Sequence, residues 1–183
     1  MAQTRARLVN IETEIKRALS QLVGLQLGTI RRVVDMSVWH FGTMRPAPES
    51  SLPFFRDKPR GTVGEFALHI QCAWRLETND GIVTGRSDLW EPVVPLEDSL
   101  VNDWNYERDG NLQDARIKDF LAGSSDIVAE YVELQLHGSF TIVFSSGHRL
   151  VVFPSGAKGE AWRLFRPATD ELHFVISGGR IEE

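Results

Sequence analysis

Residues 65–77 carry the most regular alternation of apolar and polar side chains in the chain. The apolar members occupy every second position and are Phe66, Leu68, Ile70, Cys72, Trp74 and Leu76. Because successive side chains of a β-strand point to opposite faces, the pattern predicts one long strand with an apolar face on a core and a polar face outward. A sheet with one polar face is typical of antiparallel rather than parallel pairing.

Turn sequences divide the rest of the apolar pattern into hairpins. Asn79, Asp80 and Gly81 form the strongest of these turn signals, since such residues tolerate the backbone of a tight turn. The predicted hairpin arms are residues 29–34 with 38–41, 65–77 with 82–86, 131–145 with 148–153, and 161–166 with 172–176.

Two segments have helical rather than strand-like spacing. In the first, Leu8, Ile11, Ile15, Leu19 and Leu22 recur at three- and four-residue steps and form one apolar stripe, which Gly24 ends. The second helix is predicted from a cap at Asp109 or Asn111 to residue 122, with Gly123 as its stop.

Short sequences recur in the same order along the chain. Residues 25–28 (LQLG) reappear at 134–138 (LQLHG), and residues 73–76 (AWRL) reappear at 161–164 (AWRL). A helix precedes each copy, and a turn with Asp and one further strand follow each AWRL. This order favours a duplicated helix-plus-four-strand unit at approximately 5–86 and 109–180, with chance recurrence of strand sequences as the alternative.

The two copies differ by an insertion. The repeated sequences lie 48 positions apart in the first copy and 27 in the second, and the excess of 21 nearly equals segment 42–61. That segment holds Pro46, Pro48, Pro53 and Pro59, which prevent a continuous helix or strand. The sequence therefore predicts a single α+β domain over residues 1–183, with antiparallel sheet, two helices on one side and an irregular insertion.

Composition excludes several classes of protein. A single cysteine, Cys72, excludes an internal disulfide framework and a cysteine-based zinc site. The net charge of −5 argues against a general nucleic-acid binder. No apolar run reaches the ~18 residues of a membrane span, and no signal-peptide core follows the start, so we expect a cytoplasmic protein.

No catalytic or metal-binding motif is present in the sequence. The five histidines form no HxH, HxxxH or HExxH pattern, and neither a phosphate loop nor a GxSxG elbow occurs. Cys72 shares the apolar side of its strand with Trp74, which predicts a buried and unreactive thiol. We expect no metal and no cofactor.

The polar side of the 65–77 strand carries the best candidates for binding. His69, Gln71 and Arg75 lie there beside two alanines, whose short side chains leave a shallow depression in the surface. A pseudo-two-fold repeat adds Arg163 to the same face, where two guanidinium groups could grip an anion. The alternatives are a solvated face on which each Arg pairs with a cross-strand Glu, and a homodimer contact.

Residues 88–109 form an acidic, irregular stretch. Seven acidic side chains stand there against Arg108 alone, an imbalance that either steers a charged partner or marks a solvated loop. Trp90 lies within this stretch, and an aromatic in such a place serves as a recognition anchor or as a plug on the core. Trp90 is therefore a further binding candidate.

Residues 67–75 (ALHIQCAWR), 80–83 (DGIV), 162–165 (WRLF) and 173–175 (HFV) resemble a group of bacterial conserved hypothetical proteins, and the resemblance covers most of the chain. It implies a bacterial, intracellular origin and no particular activity, cofactor or catalytic residue.

The sequence favours a non-enzymatic intracellular binding protein, immunity- or regulator-like, that uses its polar sheet face. A protein or a small anionic ligand is the expected partner, a homodimer is a further alternative, and neither nucleic acid nor membrane is expected. The alternative function is a small hydrolase or lyase with a pocket beside His69 and Arg75, completed by an acid from residues 88–109.

Overall fold

The fold is α+β and consists mainly of antiparallel sheet, as the sequence predicts. The computed structural model describes residues 2–48, 61–97, 103–123 and 126–182, with side chains from Ile11 onward. The helices are α1 (Ala2–Ser20) and α2 (Leu112–Gly123), with short 3-10 helices at Arg86–Trp90 and Leu136–Gly138. The strands are β1 (Leu27–Val33), β2 (Met36–Phe41), β3 (Arg45–Pro46), β4 (Thr62–Val63), β5 (Phe66–Ile70), β6 (Ala73–Glu77), β7 (Ile82–Gly85), β8 (Ala129–Leu134), β9 (Phe140–Phe144), β10 (Arg149–Phe153), β11 (Glu160–Phe165), β12 (Phe174–Ser177) and β13 (Arg180–Ile181).

Two large sheets enclose one core. The six-stranded sheet has the order β1-β2-β5-β11-β12-β13, and the five-stranded sheet has the order β7-β6-β10-β9-β8. Aromatic rings from the two sheets meet between them, since Trp39 of β2 lies 5.7 Å from Trp74 of β6, and Phe140 of β9 lies 5.1 Å from Trp162 of β11. The inner faces therefore pack against each other, and each sheet keeps an outer face.

Residues 65–77 form two strands rather than the one long strand predicted, although their side chains alternate between the two faces as expected. It breaks at Gln71 and Cys72, whose N–H groups both donate to the carbonyl of Ala161, at 2.9 and 3.0 Å. β5 on one side of the break belongs to the six-stranded sheet, and β6 on the other belongs to the five-stranded sheet. The apolar positions nevertheless face inward. Cys72 at the break is only half-buried, whereas the other five are at most 5% exposed: Phe66, Leu68, Ile70, Trp74 and Leu76.

The predicted strand 131–145 also breaks into two. β8 and β9 pair with each other in antiparallel register, and the chain turns between them through the 3-10 helix Leu136–Gly138. Gly138 has φ of +79°, and a Cβ there would lie 2.8 Å from the side chain of Ile176. Position 138 therefore requires glycine. The carbonyl of Gly138 accepts a 2.7 Å hydrogen bond from the indole of Trp162.

Both helices pack on the inner side of the five-stranded sheet, at its two edges. α1 lies against β8, and α2 lies against β7 and the 3-10 helix Arg86–Trp90. Asn111 caps α2 as predicted, since its Oδ1 accepts the N–H of Asp114 at 2.8 Å. Buried helix side chains join the common core, among them Ile15, Leu19, Leu22, Ile117 and Phe120. Neither described helix is long and apolar enough to cross a membrane.

The two repeated sequences behave differently in the fold. Both AWRL segments are strands with the Trp buried and the following Arg outward, in β6 and β11. The LQLG segment enters β1, whereas LQLHG enters the turn after β8. The duplication therefore stays a prediction.

Most of the proline-rich insertion 42–61 lies outside the described residues. Its flanks pair as the two-stranded ribbon of β3 and β4.

Candidate functional site

The five candidate residues are divided among three places. His69, Gln71 and Arg163 come together on the outer side of the six-stranded sheet, whereas Arg75 lies on the outer side of the five-stranded sheet. The predicted pairing of Arg75 with Arg163 on one sheet face is therefore wrong, because the chain changes sheets between His69 and Arg75. Trp90 lies apart from both, in the 3-10 helix Arg86–Trp90 at the start of the acidic stretch.

The first of these places is the histidine face, which we define as the outer side chains Val38, His40, Ala67, His69, Arg163 and Phe165. Strand register sets them in two rows across β2, β5 and β11, with His69 between Val38 and Arg163 and with Ala67 between His40 and Phe165. Val38 and His40 are each 5% exposed and Ala67 is fully buried. This outer face is therefore largely withdrawn from water.

Residues that follow the insertion cover one end of the histidine face. The N–H of Gly64 donates to Nδ1 of His40 at 3.2 Å, and the guanidinium of Arg31 on β1 donates to the carbonyl of Thr62. Rings cover the other end, where Phe165 lies 4.8 Å from His69 and stacks at 4.1 Å on His173.

Charges on the histidine face are paired locally. Nε of Arg163 donates to Oε1 of Glu160 at 2.6 Å, a second guanidinium nitrogen donates to Oε2, and a third contacts Nδ1 of His173 at 3.3 Å. These bonds from Arg163, together with one from the Gln71 side chain, hold the pKa of Glu160 below its usual range. Because the guanidinium is already bidentate to a carboxylate, it is poorly placed to grip a further anion.

The buried imidazoles are weak bases. Burial, helped by the positive charge of Arg163, lowers the pKa of His69 to about 4, and burial followed by the charge of Arg31 lowers the pKa of His40 to about 4. A general base with a pKa so far below neutral drives proton transfer poorly. Burial also raises the pKa of the Cys72 thiol to about 11, which keeps it protonated and inert at neutral pH.

The outer side of the five-stranded sheet has the opposite character. We define its outward side chains as the open face: Arg75, Glu77, Tyr131, Glu133, Thr141, Val143, Arg149, Val151 and Phe153. Register sets two complete rows across β6, β10, β9 and β8, one reading Arg75, Val151, Thr141, Glu133 and the other Glu77, Arg149, Val143, Tyr131. Phe153 is 58% exposed and Tyr131 is 48% exposed, and none of the described elements packs over them.

A depression of about 450 Å³ lies on the open face. It is open to solvent and is lined by Arg75, Glu77, Glu133, Gln135, Thr141, Arg149, Val151 and Phe153. A second depression of about 400 Å³ continues from Gln135 to α1, where Glu12, Thr13, Lys16, Leu134 and Leu136 line it. His69 lines neither of these cavities.

Glu77 organises the charged end of the open face. It accepts hydrogen bonds from Nε of Arg75 at 2.5 Å and from Nε of Arg149 at 3.1 Å, and these bonds lower its pKa. Arg149 also reaches Oδ1 of Asn79 at 2.9 Å. Two arginines therefore share one acid here, and the balancing acid of this face, Glu133, stands on the far strand β8.

Trp90 is anchored but not enclosed. The 3-10 helix that carries it is fixed by fully buried Leu89 and by Asp88, which accepts from the Thr84 hydroxyl at 2.8 Å. Trp90 itself is 52% exposed and packs edge-on against Tyr106 at 4.8 Å. Its indole is therefore a firmly held surface aromatic rather than a plug on the core.

Arg75 is the one member of the open face that the sequence predicts as a binding residue, and Arg149, Glu133, Thr141 and Phe153 are among those that it does not. The alternation within 149–153 signals their outward direction, but only pairing across β6, β10, β9 and β8 puts them beside Arg75.

Among the described residues, no three His, Cys, Asp or Glu side chains are grouped so that they could hold a metal ion. Comparison of the chain with protein-family models, with curated proteins and with solved structures finds no match.

Proposed function

We propose that this chain is a non-enzymatic interaction protein, immunity- or regulator-like in that it acts by binding, and that the open face is its contact surface. The observation that carries the proposal is a sheet face with two half-exposed aromatic rings and two charges of each sign, over which no described element packs. A contiguous exposed apolar patch that is rimmed by polar residues is a mark of an interaction surface.

The composition of the open face supports a protein partner. Tyr, Phe and Arg are enriched at protein interfaces because they combine large contact area with directed polar groups. Tyr131, Phe153, Arg75 and Arg149 supply these types within a few strands of one another. The net charge of −5 is in keeping with a protein rather than a nucleic acid as partner, and we place the interaction in the cytoplasm.

The enzymatic alternative, a small hydrolase or lyase beside His69 and Arg75, has less support. His69 and Arg75 lie on strands of different sheets, and the pKa of His69 of about 4 suits a buried neutral ring. A small anionic ligand is likewise less well supported, because Arg163 is engaged by Glu160.

Affinity capture with matched variants tests the proposal. Tagged wild type, Phe153→Asp and the control Leu172→Asp are used to capture partners from lysate of the source cells, and bound protein is quantified by mass spectrometry. Leu172 is 96% exposed and lies outside the open face, so it controls for the added charge. We expect wild type and Leu172→Asp to retain the same stoichiometric partner, and Phe153→Asp to lose at least about tenfold of it.

The proposal is abandoned if wild type captures no stoichiometric partner at any salt concentration and also fails to associate with itself in solution. It is also abandoned if Phe153→Asp captures as much partner as wild type does.

A further inference from the structure

We infer that the protein seated on the open face is a second copy of this chain, packed face to face about a two-fold axis parallel to the strands. The inference rests on the proposed use of the open face and names its occupant. Its basis is the order of charges along one row of that face.

The row Arg75, Val151, Thr141, Glu133 places opposite charges at its two ends. Arg75 stands on β6 and Glu133 on β8, three strand positions apart, with the uncharged Val151 and Thr141 between them. At ~4.8 Å per strand, the two charges are about 14 Å apart. That separation is too long for a direct ion pair between Arg75 and Glu133 within one copy.

A two-fold axis that runs parallel to the strands, between β10 and β9, exchanges the two ends of the row. Arg75 of one copy then lies opposite Glu133 of the other, and the symmetry repeats this pair on the far side. In the neighbouring row the same axis sets Glu77 opposite Tyr131, whose hydroxyl can donate to a carboxylate. The sheets then stack with their strands nearly aligned, a common packing of two sheets.

The other face-to-face two-fold axis, which runs across the strands, does not fit. It faces each strand with its own copy, so Glu133 meets only side chains of β8, none of which is an arginine, and gains no opposite charge. The charge pattern therefore selects one arrangement of two copies.

The balance of signs favours a second copy over a strongly basic or acidic partner. The open face carries Arg75 and Arg149 against Glu77 and Glu133, so a partner of one sign would leave two of these charges facing their like. A second copy supplies both signs in the reversed order. The whole chain carries a net charge of −5, but the open face has equal numbers of positive and negative side chains. Two copies of the face therefore do not repel each other through their net charge.

The size of the face indicates weak association. Four strands at ~4.8 Å spacing and five residues at ~3.4 Å rise give a patch of about 20 by 17 Å, below the ~800 Å² that each partner buries in a standard interface. We therefore expect rapid exchange and a dissociation constant in the micromolar range or weaker. Measurements should span about 5 to 500 µM.

Charge-reversal variants, whose dimerisation is measured by sedimentation equilibrium, test the inference. Arg75→Glu places two carboxylates opposite each other at the contact with Glu133, and Glu133→Arg places two guanidinium groups opposite each other at the contact with Arg75. Each variant alone should therefore dimerise at least about tenfold more weakly than wild type. The double variant, and an equimolar mixture of the two single variants, should recover dimerisation. Recovery in the mixture cannot come from repair within one chain, because the two changes are then on different chains.

Arg180→Glu and Asp170→Arg are matched controls. Both positions are exposed, lie outside the open face and change the net charge by the same amounts. They should dimerise as wild type does, and urea unfolding of every variant separates lost association from lost folding.

Wild type that stays monomeric at about 500 µM, single variants that dimerise normally, or a mixture that fails to recover would each overturn the inference. If wild type is monomeric while Phe153→Asp still loses a different captured protein, the second copy is wrong as the occupant and the proposed function stands. If no partner of either kind is found, both fall.

Discussion

The two outer sheet faces of this protein arise from the same kind of sequence and have opposite properties. Each is built from strands that alternate apolar and polar residues, and each carries an arginine that follows a buried tryptophan. On the histidine face the outward groups are packed, paired and shielded from water, with His40 only 5% exposed. On the open face the two rings and Arg75 remain in solvent, with Phe153 58% exposed.

The difference teaches that alternation fixes the direction of a side chain but not its surroundings. His69 points away from the core, yet Phe165 packs against it, and the chain after the insertion bonds to its neighbour His40. Phe153 points outward in the same sense and meets no described covering element. An outward position in a strand is therefore a solvent position only when nothing else folds over it.

The largest expected difference between the faces is in acid sensitivity. Because the pKa values of His69 and His40 are about 4 in the folded protein and ~6.5 when unfolded, the unfolded chain binds more protons between these values. Their stabilising contribution is complete above about pH 6.5 and is lost as the pH falls toward 4. With partial solvent screening, the loss is roughly 2 kcal/mol for each histidine.

Urea unfolding of His69→Asn between about pH 7.5 and pH 4.5 measures this contribution. The variant should show a shallower loss of stability than wild type, by roughly 2 kcal/mol over the range. His137→Asn, at an exposed position, is the control and should follow wild type. An unchanged slope in His69→Asn would mean that water reaches the histidine face.

A matched pair of phenylalanines gives the next largest difference. Phe165 lies between His69 and His173 on the histidine face, so Phe165→Ala removes packed contacts and should cost about 2–3 kcal/mol of unfolding free energy. Phe153→Ala on the open face should change it by less than about 0.5 kcal/mol. Urea unfolding at about 1 µM avoids any contribution from self-association, and equal losses would show that the faces do not differ in packing.

The matched pair of arginines gives the smallest difference. Arg163→Gln leaves the mostly buried carboxylate of Glu160 with Gln71 as its remaining partner, and we expect a loss of about 1–2 kcal/mol. Arg75→Gln leaves Glu77 still bound to Arg149, so the loss should stay below about 0.5 kcal/mol. The measurement is urea unfolding at neutral pH, and a larger loss in Arg75→Gln would reverse the contrast.

Local signals in the sequence predicted much of the secondary structure. The stripe through Ile15, Leu19 and Leu22, the cap at Asn111 and the hairpin turns all depend on residues within a few positions of one another, and the structure confirms them. The clustering of His69 with Arg163 was not predictable in the same way. It depends on the pairing of β5 with β11, in which His69 lies opposite Arg163 although the two are far apart in the chain.

The sequence by itself determined which side chains face the core, because the two-residue period of a strand and the turn residues act locally. Only the tertiary structure decided where a strand ends in one sheet and begins in the next. The break at Gln71 and Cys72 is made by the carbonyl of Ala161, a distant partner that no local pattern reveals. Because the chain passes from one sheet to the other at this break, His69 lies on the covered histidine face and Arg75 lies on the exposed open face.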